Sequence, residues 1–188
     1  MTVLIVLLAA LAALAIGLAA GRWWAPRHRQ VRAARPDAVR RILLPLTGAS
    51  ISRRAFDAAV RLAGVEHATL MPCYLATVPL YLPLEASLPV QCLRAMPLLE
   101  TIEQRASAQG VAVDARVVRG RTYRDALRRM LDDEHFDRVI VSATNHPDMG
   151  FRGDDLVWLL RRADAEVLIL RPAPEDHREV VATVAGHF

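Results

Sequence analysis

The sequence predicts an α/β protein: an open five-stranded parallel sheet, doubly wound with helices on both faces, preceded by one transmembrane helix. Three observations lead there. From Arg40 onward, short apolar runs rich in Val, Ile and Leu alternate with segments whose apolar residues recur at helical spacing. Such β-α alternation is the pattern of a parallel sheet with crossover helices. Arg138–Pro172 reads as strand, loop, helix and strand, with Val139–Val141 and Val167–Leu170 flanking a helix of crossover length. Ahead of all this, Met1–Gly21 holds no charged side chain.

Thr2–Ala20 (TVLIVLLAALAALAIGLAA) has the length of a membrane-spanning helix, since roughly 20 apolar residues cross a bilayer core. Trp23 and Trp24 follow, where indole rings favour the headgroup zone. A cleavable signal peptide is the rival reading, but it places its positive charge before the apolar run; here the arginines come after it. Arg22–Arg41 carries seven arginines (22, 27, 29, 32, 35, 40 and 41) against Asp37 alone. By the positive-inside bias the N-terminus lies outside a bacterial inner membrane and the rest in the cytoplasm. The expected division is an anchor at 1–21, a basic juxtamembrane linker at 22–39, an α/β domain at 40–172 and a tail at 173–188.

The whole chain is +4 and the arginine segment alone +6, which leaves the rest at −2. The basicity therefore belongs to the linker, and the domain is not expected to bind nucleic acid. All 24 basic residues are Arg and none is Lys, which reflects GC-rich coding and not chemistry. Cys73 and Cys92 form no Cys-x-x-Cys pair, so free thiols in a reducing compartment are expected.

Within the domain, Ile42–Leu46 (ILLPL) is a buried strand and Thr47–Ser52 (TGASIS) a turn rich in helix-capping residues. Arg53–Ala63 places Ala55, Phe56, Ala59, Leu62 and Ala63 on one face of a helix ending near Gly64. Ala68–Leu75 is the second strand. Pro72 within it points to an edge or a bulge, because proline cannot donate to a ladder. Ala76–Pro97, punctuated by Pro79, Pro83, Pro89 and Pro97, reads as an extended flap. A helix then starts with Pro97 in its first turn, turns Leu98, Leu99, Ile102 and Ala106 inward, and ends at Gly110. Val111–Val118 is the third strand. Gly120 turns the chain, and Thr122-x-x-Asp125 is a capping box for Tyr123–Glu134, with Ala126, Leu127, Met130 and Leu131 inward. Past the last strand, Ala173–Phe188 begins polar, and Val180–Val184 reads as a further small strand.

Four segments, RILLPLTGASISRRAF, GRTYRDAL, DRVIVSATN and ADAEVLILRP, resemble the universal stress protein family in order and spacing, from Arg40 to about Pro172. The first is similar to the family's strand-Pro-x-Asp-Gly-Ser-x-x-Ser turn and the second to its Gly-Arg helix start. The others are similar to its last two strands, and YLPLEASLPV looks like the flap of bacterial members. The resemblance implies a homodimer paired through the final strand, here Val167–Arg171. It also implies a candidate nucleotide site at Pro45, Thr47, Gly48, Cys73, Ser142, Asn145, Gly153 and Asp154.

Nucleotide-binding members share a Gly-x2-Gly-x9-Gly-Ser/Thr loop. Its glycines let backbone N–H groups approach phosphates, and its hydroxyl adds a donor at a helix N-terminus. Here Ser142-Ala143-Thr144-Asn145 stands where Gly-x2-Gly belongs, and Gly153-Asp154 where Gly-Ser/Thr belongs. Seven residues separate Asn145 from Gly153, two too few. Reading Gly150-Phe151-Arg152-Gly153 as the first motif puts the later glycine at Ala163, inside the helix. Thr47 replaces the Asp at the first strand end, and Cys73 falls where a small residue lines the base. Asp154 sets a carboxylate against phosphate.

No residue reads as catalytic and no spacing as metal-binding. Asp154 and Asp155 open a helix that closes with Arg161 and Arg162, which complements its dipole and explains them without Mg²⁺. His146 and Asp148 around Pro147 lack a partner constellation. Ser50 and Ser52 suit helix capping, and Trp158 suits packing. Cys73 in its apolar strand is inert; Cys92 near Arg94 is the better redox candidate. The expected function is a membrane-anchored, non-catalytic regulatory or scaffolding module. It is a dimer without a cofactor, partnered by a membrane transporter or a signalling protein. The alternative is an ATP- or AMP-binding stress sensor built on Pro45, Gly48, Ser142, Asn145 and Gly153, with slow ATP hydrolysis, for which no residue is an evident base, as a third and weaker option.

Overall fold

The structure is a computed structural model and describes residues 40–48, 50–144 and 150–171. The expected membrane helix and linker, Asn145, the His146–Asp148 stretch, and the tail with Val180–Val184 lie outside these residues. Among the described residues, no helix is long and apolar enough to cross a membrane.

The strands are β1 (Arg41–Leu46), β2 (Thr69–Thr77), β3 (Arg116–Gly120), β4 (Arg138–Ser142) and β5 (Glu166–Leu170). The helices are α1 (Arg53–Glu66), α2 (Pro89–Ser107), α3 (Tyr123–Asp133) and α4 (Gly153–Arg162). All pairings are parallel, in the order β3-β2-β1-β4-β5. Side chains alternate across the sheet. Ile42, Leu44 and Leu46 pack with Phe56 of α1 and Leu98 and Ile102 of α2 on one face. Leu43, Met71, Val139 and Val141 pack with Leu127 and Met130 of α3 and Leu159 of α4 on the other. Two helices on each face bury both sides of β1, which is why that strand is an unbroken apolar run.

Three expectations are corrected. First, α1 does not stop at Gly64. His67 itself takes the left-handed cap conformation (φ 51°) and donates its N–H to the Gly64 carbonyl at 3.4 Å, so the helix runs to Glu66.

Second, Pro72 lies at neither an edge nor a bulge: β2 is an interior strand, in constant register from Leu70↔Val113 to Cys73↔Arg116. In a parallel ladder, successive residues address opposite neighbours. Thr69 N–H donates to Arg40 O on the β1 side (2.8 Å), and Leu70 N–H to Ala112 O on the β3 side (2.9 Å). Position 72 thus faces β3, where proline has nothing to donate and pairing lapses between Val113 and Arg116. For that reason β3 is Arg116–Gly120 and not Val111–Val118.

Third, the helix expected to start at Pro97 starts eight residues earlier, with Pro89 in its first turn and Pro97 inside it. The rule was sound but belonged to the other proline. Pro97 removes one helical bond on an exposed side, and Thr101 Oγ1 donates to the Pro97 carbonyl at 2.7 Å.

Arginines at the strand starts pair with acids around them: Arg41 with Glu134 (2.7 Å), Arg116 with Asp114 (2.8 Å), and Arg138 with Glu166 (2.6 Å) and with Glu66. The Arg116 guanidinium holds Asp114 below the usual carboxylate range. The Arg121 N–H, then Arg128 and Arg129, hold Asp125 at about 2, against the effect of burial. A lowered folded-state pKa contributes stability that is complete above the unfolded value, about 4, and is lost as pH falls through the folded one. The urea midpoint is therefore expected to drop as pH falls from about 4 to about 2. Asp125→Asn should flatten that limb, and an equally steep limb in the variant would assign it to other groups.

Candidate functional site

A doubly wound sheet opens a crevice where the strand order reverses, at the carboxyl ends of the strands. Here that point lies between β1 and β4. Their pairing is limited to Ile42↔Arg138 and Leu43↔Val139. The alternation that sends the Arg41 carbonyl to Asp137 N–H (3.0 Å) aims position 45 at β4 as well. Pro45 has no N–H to continue the ladder, so the two strands part beyond it.

The crevice is closed by the protein's own groups. Thr47, buried at the end of β1, donates its Oγ1 hydroxyl to the Gly150 carbonyl at 3.3 Å. Phe151 N–H donates to the Ser142 carbonyl (2.9 Å), and Thr144 N–H to the Phe151 carbonyl (3.0 Å). Phe151 is buried against Leu43, Val141 and Leu159. Gly150 is required at this closure. Its φ is 146°, and a Cβ there would lie 2.5 Å from the Ser142 carbonyl oxygen. In a phosphate cradle the N–H groups at this place point at the ligand; here those of Thr144 and Phe151 are spent inside the protein.

The remaining candidate residues do not converge on one wall. Cys73 is fully buried on the α3–α4 side of the sheet, opposite Pro45 in register, and burial pushes its thiol up to about 12. Ser142 follows Val141 and so turns to the α1–α2 side. Its hydroxyl is buried, with no hydrogen-bond partner among the described residues. Gly48 is half-buried, while Gly153 and Asp154 are exposed at the first turn of α4. Asp155 is engaged: it accepts from Arg152 N–H (3.2 Å) and from Arg124 Nε (2.6 Å), fastening α4 to α3. Among the described residues there is no group of three side chains that could hold a metal ion.

Two features of this end escaped the sequence reading. Arg121, noted only as part of a helix start, points back at the flap and donates from Nη1 to the carbonyls of Pro79 (2.6 Å) and Leu82 (2.9 Å). Gln91 forms a two-bond clamp on Thr77: Oε1 accepts from its N–H (3.0 Å), and Nε2 donates to its carbonyl (2.7 Å). Hydrogen bonds to a charged donor contribute about 1.5–3 kcal/mol each. Arg121→Ala is thus expected to free the flap, with chymotrypsin cutting after Tyr81 about tenfold faster. Unchanged cleavage would show that Gln91 and packing hold the flap alone.

An open parallel sheet in this strand order, with a crevice at its reversal point, defines a doubly wound α/β domain of the kind that carries ligand sites at that position. The chain belongs to the universal stress protein family: the family's model matches residues 38–171. A universal stress family protein from Burkholderia pseudomallei is 26% identical, with a TM-score of 0.50, over 71% of this chain and 96% of that one. Two further structures share the fold. A universal stress protein in complex with cAMP is 21% identical over 72% of this chain and 99% of that one, at a TM-score of 0.51. An Arabidopsis thaliana family protein with AMP bound is 12% identical over 74% and 96%, at 0.53. No curated protein matches the chain.

Proposed function

We propose that this chain is a tethered, non-catalytic universal stress protein that acts as a regulatory or scaffolding module. Its Thr2–Ala20 segment anchors it in a bacterial inner membrane with the domain on the cytoplasmic side, and it pairs through Val167–Arg171. β5 is an edge strand of the sheet, and Ile169 on it is part-exposed, which supports that pairing. Its partner is a membrane transporter or signalling protein. The observation that carries the reading is the bridged crevice, in which the Thr47 hydroxyl and the Phe151 N–H, donors a phosphate would otherwise receive, go to the Gly150 and Ser142 carbonyls. Asp154, exposed at the start of α4, adds charge of the wrong sign for a phosphate.

A second reading, an ATP- or AMP-binding sensor, is favoured by one observation: the buried Ser142 hydroxyl without a partner among the described residues. The relatives crystallised with AMP and cAMP support it at the level of the fold. Thermal unfolding separates the two. A ligand at 100 times its dissociation constant stabilises by about 2.7 kcal/mol. The module reading predicts no shift of the midpoint with millimolar ATP, AMP or cyclic AMP and Mg²⁺, and a shift of several degrees would favour the sensor.

A further inference from the structure

We infer that the outer side of α2, together with the flap turn, rests on the lipid surface. On α2, Val90, Leu93 and Met96 are 61%, 75% and 47% exposed, while Leu98, Leu99 and Ile102 behind them are buried. The spacing of three residues sets the exposed ones along one side of the helix. Leu80 and Tyr81, at the tip of the flap turn, are 86% and 84% exposed. Both pieces are fastened to the end of β2, α2 through the Gln91 clamp on Thr77 and the flap turn through Arg121. The domain therefore presents two apolar features fastened to the end of one strand, while Leu88, Ala95 and Leu98 on the inner side of α2 pack into the core.

What covers them follows from the rest of the chain. Thr2–Ala20 is apolar on every side. A helix of that kind requires burial all round, which one stripe on one helix cannot give, so it is not the occupant. Lipid satisfies both. The inference rests on the anchored reading above, and the tether permits it. The 18 residues from 22 to 39 reach up to about 60 Å, whereas nine residues of β2 separate the start of the sheet from the flap by about 30 Å. Charges beside the stripe are mixed, Arg94 against Glu85 and Glu100, all exposed. Apolar contact and the amphipathic Tyr81 ring thus make the attachment, while the linker arginines attract anionic headgroups.

The test uses the full chain in vesicles of phosphatidylethanolamine and phosphatidylglycerol carrying nitroxide-labelled lipid. A fluorophore is placed at position 93 (Cys92→Ala with Leu93→Cys) or, as a control on α4, at position 157 (Cys92→Ala with Val157→Cys). Cys73 is fully buried and does not compete for label. The expected result is loss of most fluorescence at 93 and little at 157, with the protein retained through an alkaline wash. Retention without quenching at 93, or equal quenching at both positions, overturns the inference and leaves the anchor standing. Quenching at 93 followed by release in the wash keeps the lipid-facing stripe and overturns the anchor. Release without quenching overturns both. Disulfide-linked dimers through position 93 without quenching show that a second copy covers this face, which also overturns the inference.

Discussion

Gly120→Ala is expected to lower the unfolding midpoint by about 10 °C, equivalent to roughly 3 kcal/mol. β3 runs into α3 through Arg121 and Thr122 alone, so the helix starts against the strand it follows. A Cβ at position 120 would lie 2.3 Å from the Ala126 nitrogen and 2.7 Å from its Cα. These are backbone atoms, fixed by the Ala126 N–H bond to the Thr122 carbonyl (2.9 Å), and no rotamer change relieves the overlap. The first turn of α3 must move outward, which draws the helix's own buried Leu127 and Met130 from the core. Gly153→Ala is the internal control. No atom lies within 4 Å of its added Cβ, and the midpoint should stay within about 2 °C, with any change upward as the unfolded chain loses freedom. Equal effects of the two substitutions would contradict the steric account.

Gly150→Ala is expected to cost about 2 kcal/mol and to open the loop after β4. The residue combines a backbone conformation that side chains disfavour with a carbonyl 2.5 Å from the added carbon. Displacing it breaks the Thr47 hydroxyl contact and strains the bond between Phe151 N–H and Ser142 O. The direct readout is amide hydrogen exchange. Protection at Thr144 and Phe151 should fall far more than the global stability requires, while that of Val139–Val141 should fall only with it. Uniform loss across β4 would mean that the closure is not a local unit.

The parts of the fold legible in the sequence are those with local causes. β1 and β4 announced themselves as apolar runs because both are buried on two faces. The start of α3 was legible because its box is made within five residues: Asp125 N–H donates to Thr122 Oγ1 (3.1 Å), and Arg121 N–H to Asp125 Oδ2 (2.9 Å). The spatial order β3-β2-β1-β4-β5, which places the crevice between β1 and β4, came from the structure. Features with distant causes were not legible. Of four prolines, Pro89 opens α2, and Gln91 two residues on bonds to Thr77, 14 residues upstream. Pro72 looked unfit for an interior strand because its one missing bond happens to face a gap in the ladder. Arg121 finds the Pro79 carbonyl 42 residues upstream. At the candidate site, the sequence has Ser142 and Asn145 where the resembled family's loop has glycines. That Thr47, Gly150 and Phe151 close the crevice could not be read, since Thr47 and Gly150 meet across 103 residues.

We propose that, with Thr47 bonded to Gly150 and Phe151 to Ser142, the crevice takes up no nucleotide. Isothermal titration of ATP, AMP and cyclic AMP with Mg²⁺ into the purified chain tests it most directly. No heat of binding is expected with any of the three at millimolar concentration. A micromolar dissociation constant for any of them would contradict it, and would mean that the bonds from Thr47 and Phe151 give way to a ligand that the Ser142 hydroxyl receives.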